Sequence, residues 1–170
     1  MKRWMLAATL GFMAFPSSGL AQSKDTLVGT WKLISAIDTT EKGEAKSAFG
    51  QNPVGFLTYT ADGRMMAIIA HGPRKLLSVP DYTAAPAEER AEAFATFAAY
   101  AGRYTLNGDK VVHHVEISSV QNRVGTDLTR SIVALQGDRL VLRTPPFLKG
   151  GVMVTTELIW ERLKEALSTR

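Results

Sequence analysis

Alternating apolar and polar positions run through most of the chain and predict β-strands. Leu27 to Ile37, reading LVGTWKLISAI, is rich in the β-branched and aromatic residues that favour strands. Three later pairs of similar runs are separated by the short turns ADGR, NGD and QGD, which are typical of tight hairpins. Eight strands are predicted, at residues 27–37, 54–60, 64–71, 102–106, 110–117, 125–135, 139–144 and 152–163. We therefore expect a mainly all-β fold: an eight-stranded antiparallel up-and-down barrel, or a strongly curved meander.

One segment has a different periodicity. Residues 86–101, PAEERAEAFATFAAYA, begin with proline and two early acids, continue as Ala-rich sequence and stop at Gly102. Phe94 and Phe97 fall at helical spacing and would share one apolar face. This pattern predicts a single helix at about 86–101 that packs on the barrel or closes one of its ends.

Two irregular segments flank the predicted strands. Residues 72–85 form a long stretch before the helix, and long loops in compact domains are often functional lids. Residues 38–53 read as a polar loop. We find no internal repeat and no domain boundary, so residues 22–170 are expected to form a single domain.

The first 21 residues have the organisation of a secretory signal peptide. Lys2 and Arg3 precede an apolar run at 4–15, and small residues follow at positions 19 and 21. A membrane anchor is the alternative, but the run is shorter than the roughly 20 residues that span a bilayer. We therefore expect cleavage after Ala21, export to the periplasm or beyond, and no stable membrane insertion.

Charge and composition exclude several classes of partner. Loss of the leader removes two basic and no acidic residues, which lowers the formal net charge from +4 to +2. No basic run is present to follow a phosphate backbone, so no nucleic-acid partner is expected. The chain has no cysteine, which excludes disulfides, thiol nucleophiles and cysteine metal sites. It also lacks a glycine-rich phosphate loop and a serine nucleophile elbow, and no cofactor is expected.

Five motifs resemble the bacterial and fungal lipocalin-like domain family. They read LVGTWKLISA, PVGFLTYTADGRMMAIIA, YAGRYTLNGDKVVHHVEIS, VGTDLTRSIVALQGDRLVLRTPP and ELIWERL, and the resemblance covers about residues 27–163. It implies a small lipocalin-like barrel with an internal cavity and does not imply one function. The opening GTW is similar to the Gly-x-Trp strand of true lipocalins, which implies that Trp31, after Gly29, plugs the barrel base.

Two adjacent histidines are the candidate catalytic residues. His113 and His114 lie on one predicted strand, so their side chains should point to opposite faces. Val111, Val115 and Ile117 share a face with His113, which favours His113 inside and His114 outside. An inward histidine is either a hydrogen-bonded structural residue or a general acid or base. A metal site is not expected, because adjacent histidines on one strand cannot easily bind one ion.

Arginines and tyrosines are the candidate ligand-binding residues. A guanidinium among apolar neighbours needs an anionic partner, which is either a cross-strand carboxylate or a ligand. Tyrosines supply a ring and a hydroxyl, although their rings can equally be core residues that bond to backbone. The candidates are Tyr59, Arg64, Arg74, Tyr100, Tyr104, Arg130 and Arg143.

Three functions remain open. The first is a binding protein for a small apolar or aromatic molecule that carries an oxygen or acid group. The second is a cofactor-free isomerase, cyclase or lyase in the same cavity, in which a histidine moves a proton. The third is a structural protein whose barrel is filled by its own side chains. A homodimer is compatible with each.

Overall fold

The computed structural model describes residues 24–164, and the predicted signal peptide lies outside them. The strands are β1 (Gly29–Thr40), β2 (Ala45–Ser47), β3 (Val54–Tyr59), β4 (Arg64–Ala70), β5 (Phe97–Asn107), β6 (Lys110–Ser118), β7 (Asp127–Gln136), β8 (Arg139–Arg143), β9 (Phe147–Lys149) and β10 (Val152–Arg162). The helices are α1 (Lys24–Leu27), α2 (Ala87–Ala95) and a 3-10 turn (Gln121–Arg123). Among these described residues, no helix is both long and apolar enough to cross a membrane.

The eight long strands form a closed antiparallel barrel, which confirms the predicted fold class. The order is β1-β3-β4-β5-β6-β7-β8-β10, and β10 pairs with β1 to close the sheet. The two short strands extend the rim, with β2 beside β1 and β9 beside β10. Closure gives the long strands partners on both sides and so removes the free edges that an open sheet would expose.

Alternation along each strand separates the core from the outer surface. In β4, Met65, Ala67 and Ile69 are buried, whereas Met66 and Ile68 between them are exposed. This period of two arises because successive side chains on a strand point to opposite faces. The pattern that predicted strands in the sequence is therefore the pattern that fills the barrel.

A packed base closes one end of the barrel. Trp31 is fully buried and its indole Nε1 donates a hydrogen bond of 3.0 Å to the carbonyl oxygen of Leu27, the last residue of α1. The guanidinium of Arg162 lies 4.0 Å from the centre of the Trp31 ring and also donates to the carbonyl of Thr26. These contacts hold α1 and β10 against the indole, which occupies the plugging position that the resemblance to lipocalins implied.

The predicted helix is shorter than expected. It ends at Ala95, and residues 97–101 belong to β5, where Phe97 pairs with Ala70 and Ala101 with Met66. Ala-rich sequence has a high helix propensity, but that preference is worth well under about 1 kcal/mol per residue. Here it is outweighed by the backbone pairing that β4 would otherwise lack along most of its length.

The segment 38–53 is also more ordered than predicted. Strand β1 continues to Thr40, and β2 returns alongside it with Ile37 opposite Ser47. Alternation does not reveal this short hairpin, because all three residues of β2 are exposed. Segment 72–85 contains no helix or strand, as expected for a loop.

A β-bulge between β5 and β6 changes one predicted side-chain direction. Gly102 pairs with Val115, whereas Ala101 pairs with Ile117, so Glu116 is the additional residue. Ile117 was expected to share the inner face with His113, but beyond the bulge it lies on the outer surface, 67% exposed. The strands approach so closely here that a Cβ on Gly102 would lie 1.9 Å from the carbonyl oxygen of His114.

Gly102→Ala should therefore destabilise the barrel strongly. The added methyl meets backbone atoms, which cannot rotate away, so we expect a loss of several kcal/mol in the free energy of unfolding by urea. Ala99→Val on the outer face of β5 is the control and should change it by less than about 0.5 kcal/mol. Equal losses in the two variants would contradict the role given to the bulge.

Candidate functional site

A cavity of about 540 Å³ occupies the half of the barrel opposite the packed base. Its wall is largely apolar and includes small residues such as Ala48, Ala67 and Ala98. Polar side chains also contribute to it. The wall residues are Ala48, Phe49, Leu57, Ala67, Ile69, His71, Phe94, Ala95, Phe97, Ala98, Tyr100, His113, Val120, Arg123, Arg130, Leu142, Thr144, Phe147, Leu148, Lys149, Thr156, Leu158 and Trp160. The barrel is therefore hollow at one end, which excludes an interior filled by its own side chains.

A buried imidazole between two tyrosines forms the polar centre of the site. The hydroxyl oxygen of Tyr59, on β3, lies 2.7 Å from Nε2 of His113, on β6. The hydroxyl oxygen of Tyr100, on β5, lies 2.9 Å from Nδ1 of the same ring. His113 and Tyr59 are almost completely buried, and Tyr100 is half-buried at the cavity wall. Both ring nitrogens are thus hydrogen-bonded to protein.

Burial keeps the imidazole of His113 and the phenol of Tyr59 uncharged. Removal from water, together with the nearby charges of Arg130 and His114, lowers the pKa of His113 from its ordinary 6.5 to about 3. Burial also raises the pKa of Tyr59 well above its ordinary value, and the neighbouring Tyr100 adds to that effect. At neutral pH the imidazole and the Tyr59 phenol are therefore both neutral.

Arg130 brings a positive charge to the cavity without a paired acid. It lies on β7 opposite Val111, and its guanidinium donates a 2.8 Å hydrogen bond to the carbonyl of Thr129. No carboxylate of residues 24–164 lies within 4.0 Å of it, whereas Lys149 at the rim is paired at 2.7 Å with the buried Asp38. The charge of Arg130 is therefore available to a molecule in the cavity.

Three predicted residues lie on the outer face instead. His114 bonds to Asp127 at 2.7 Å, Arg64 to Glu116 at 2.6 Å, and Arg143 to Glu157 at 2.6 Å. The structure places Arg64 and Arg143 outside the cup, because alternation along their strands turns them outward. Their charges are satisfied by cross-strand carboxylates, which was the alternative considered for them.

Two further predicted residues are near the barrel interior or mouth but do not contribute to the cavity wall. Tyr104 is buried toward the base and donates a 2.9 Å hydrogen bond to the carbonyl of Thr60. Arg74 lies outside, in a second depression of about 400 Å³ between the 72–85 loop and α2. Its guanidinium donates to the carbonyl of Ala93 and lies 5.4 Å from the ring centre of Phe97. Tyr59, Tyr100, His113 and Arg130 are the predicted residues that the structure brings together.

Trp160 is a wall residue that sequence reasoning missed. Its side chain is 2% exposed, and its Nε1 has no hydrogen-bond partner within the described part of the chain. The signal was present in the alternation of Val154, Thr156, Leu158 and Trp160, all of which face inward. An indole N–H donates and cannot accept, and this N–H is itself buried within the wall.

Comparison with known proteins identifies the sequence class. The profile described as "Lipocalin-like domain" matches residues 28–163. A "4'-hydroxy-3'-methoxypropiophenone carrier protein ppsC" from Aspergillus oryzae is 35% identical over 85 residues, covering 45% of this chain and 76% of that protein. A redesigned β-barrel has a TM-score of 0.41 at 11% identity, covering 86% of this chain and 100% of that chain. An uncharacterized protein from Bacteroides eggerthii also has a TM-score of 0.41 at 11% identity, covering 81% and 99%.

The depressed pKa of His113 makes stability depend on pH. The pKa of His113 is about 6.5 in the unfolded chain and about 3 in the folded protein, so between these values the unfolded chain binds one more proton. The contribution of neutral His113 to the free energy of unfolding is therefore complete above pH 6.5 and is lost as the pH falls. We expect a loss on the order of 2 to 3 kcal/mol from this group between pH 7 and pH 4.5. Urea unfolding across this range measures it.

The control for this measurement is His113→Gln, which removes the titrating ring. Its free energy of unfolding should fall less steeply with pH than that of the wild type, even if its stability at pH 7 is lower. Parallel curves would show that His113 does not carry the acid sensitivity.

Proposed function

Because the chain belongs to the lipocalin-like domain family, we propose that it is an exported protein that binds and carries a small organic molecule in its barrel cavity. The observation that carries the proposal is the open cavity of about 540 Å³ with a buried polar group in its wall. Ligand pockets of proteins commonly measure about 300–1,000 Å³, are mostly apolar and hold a few polar groups that fix orientation. The cavity agrees with each of these features.

The wall favours an aromatic ligand with an oxygen function. Phe49, Phe97 and Phe147 supply aromatic surface near the mouth, and Tyr100 and Arg130 supply polar atoms. The Aspergillus oryzae relative is described as a carrier of 4'-hydroxy-3'-methoxypropiophenone. We propose that this chain takes an aromatic molecule of similar size that carries carbonyl, phenol or acid oxygens.

Binding is favoured over proton-transfer catalysis. A histidine with a pKa of about 3 is a weak base at neutral pH, and both nitrogens of His113 are occupied by tyrosines. His114 lies outside the barrel and bonds to Asp127. Neither histidine is therefore placed to act as the base of an isomerase, cyclase or lyase, and such an enzyme would need another base.

Export rests on the leader sequence. Residues 1–21 carry the basic start, apolar centre and small-residue end of a signal peptide. We expect the purified protein from the periplasm or medium to begin at Gln22, which intact-mass measurement and N-terminal sequencing check. Replacing Leu10 by Arg should retain the uncleaved chain inside the cell, whereas an exported protein that keeps Met1 would contradict cleavage.

Filling the cavity should abolish binding. Ala98 lines the cavity, and Ala98→Trp places an indole in the space that a ligand would occupy. Its neighbour Ala99 faces outward opposite Ile68, so Ala99→Trp is a matched control on the same strand. Isothermal titration with 4'-hydroxy-3'-methoxypropiophenone should show affinity at least about tenfold weaker for Ala98→Trp and near wild type for Ala99→Trp.

Two results would contradict the proposal. One is equal binding by both variants after urea unfolding has shown that they are folded. The other is a wild-type protein that binds neither this ketone nor any small molecule that native mass spectrometry detects after purification.

A further inference from the structure

The proton on the buried imidazole can be assigned from the surroundings of Tyr59. A neutral imidazole has one N–H donor and one acceptor nitrogen. The Tyr59 hydroxyl is fully buried, and its hydrogen-bond partner among residues 24–164 is Nε2 of His113. If Nε2 carried the proton, the Tyr59 hydroxyl hydrogen would be buried with no acceptor, which is strongly unfavourable. Tyr59 therefore donates to Nε2, and the proton of His113 lies on Nδ1.

This assignment fixes the direction of the next hydrogen bond. Nδ1–H of His113 donates to the hydroxyl oxygen of Tyr100 at 2.9 Å. The hydroxyl hydrogen of Tyr100 is then free, and Tyr100 forms part of the cavity wall. The two hydrogen bonds from Tyr59 to His113 and from His113 to Tyr100 thus leave the hydroxyl hydrogen of Tyr100 to face the cavity. This arrangement needs no change in the protonation of His113.

Two other wall residues carry hydrogen-bond donors. Arg130 has no carboxylate partner within the described range, and Nε1 of Trp160 has no partner there either. No aspartate or glutamate occurs among the described wall residues. The wall therefore carries the guanidinium charge of Arg130 with no wall carboxylate to balance it, together with the phenol O–H of Tyr100.

We propose that the Tyr100–Arg130 side of the cavity is a subsite for an anionic oxygen, a carboxylate or phenolate, of an aromatic ligand. The inference rests on the proposed binding function and adds the charge of the ligand to it. An ionised oxygen would accept from the guanidinium and from the oriented phenol, and charge-assisted bonds of this kind are about twice as strong as neutral ones. A cationic ligand would instead be repelled by the guanidinium of Arg130.

Three probes of one shape test the charge preference. The wild type should bind 2-naphthoate at least about tenfold more tightly than neutral 2-naphthamide, and 2-naphthylmethylammonium weakest, in isothermal titration at pH 7.5. Arg130→Gln should weaken 2-naphthoate by about tenfold or more and change 2-naphthamide by less than about threefold. Arg143→Gln, a half-exposed arginine on the adjacent strand β8, is the matched control and should leave all three affinities unchanged.

The outcomes separate this inference from the general function. Equal affinities for the acid and the amide, or no selective effect of Arg130→Gln, would overturn the anionic subsite while leaving cavity binding intact. If none of the three probes binds, and the ketone also fails, both proposals are contradicted. Titration with 4-nitrophenol below and above its pKa shows whether the anionic oxygen is a phenolate or a carboxylate. Tighter binding of only the ionised form supports a phenolate. Tight binding of 2-naphthoate alone supports a carboxylate.

The proton assignment has its own measurement. Long-range proton–nitrogen NMR spectra should show His113 as the neutral Nδ1–H tautomer throughout pH 5–8, with His113→Gln identifying its signals among those of the three histidines. Tyr100→Phe should weaken 2-naphthoate severalfold because it removes the donor. A neutral Nε2–H tautomer would overturn the role of Tyr100, because its hydroxyl would then donate to the imidazole and not to the ligand.

Discussion

His113 is buried away from bulk water, so a mismatched polar group on its ring would have no solvent to satisfy it. Its ring has to find one donor and one acceptor partner within side-chain reach. The partners come from β3 and β5, so a single imidazole on β6 links three strands through Tyr59 and Tyr100. The same pairing fixes the tautomer and so determines which kind of atom the cavity presents to a ligand.

The environment of Arg130 differs from that of Arg64, Arg103 and Arg143, which are paired on the outer face of the barrel. On the outer face, Arg64 and Arg103 share Glu116. Arg143 pairs there with Glu157. Such exposed pairs contribute little to stability, but they leave these guanidinium groups with partners. Arg130 in the cavity wall bonds to a backbone carbonyl and has no carboxylate partner among the described residues, and its charge also disfavours protonation of His113.

Much of the fold could be predicted from the sequence because hairpin turns and alternation are local signals. The eight strands and their order follow from them, whereas the conversion of Phe97 to Ala101 into strand depends on pairing with β4, which is a nonlocal effect. Alternation predicts that the side chains of His113 and His114 point to opposite faces of the sheet, but it does not show which face of a given strand is the inner one. For that reason Arg130 and Arg143 looked equivalent in sequence, and the bulge at Gly102 concealed the outward turn of Ile117.

The hollow end follows from the distribution of side-chain volume along the strands. Large rings such as Trp31, Tyr59 and Tyr104 fill the base, whereas Ala67 and Ala98 occupy wall positions nearer the mouth. Small residues at such positions leave empty space beside the wall. The strands cannot move closer together to fill it, because the hydrogen bonds of a closed barrel fix their spacing.

The rim is held by an ion pair in which the carboxylate is buried and the lysine is partly exposed. Asp38 of β1 accepts from Lys149 of β9 at 2.7 Å and from Thr156 of β10 at 2.6 Å. Phe147 of the same short strand contributes to the cavity wall, so this pair fixes part of the mouth. Breaking it would leave Asp38 buried without its cation, and such a loss is far more costly than the pair is favourable. The shape of the entrance is therefore tied to the integrity of the core, and the binding end of the barrel does not depend on loose loops alone.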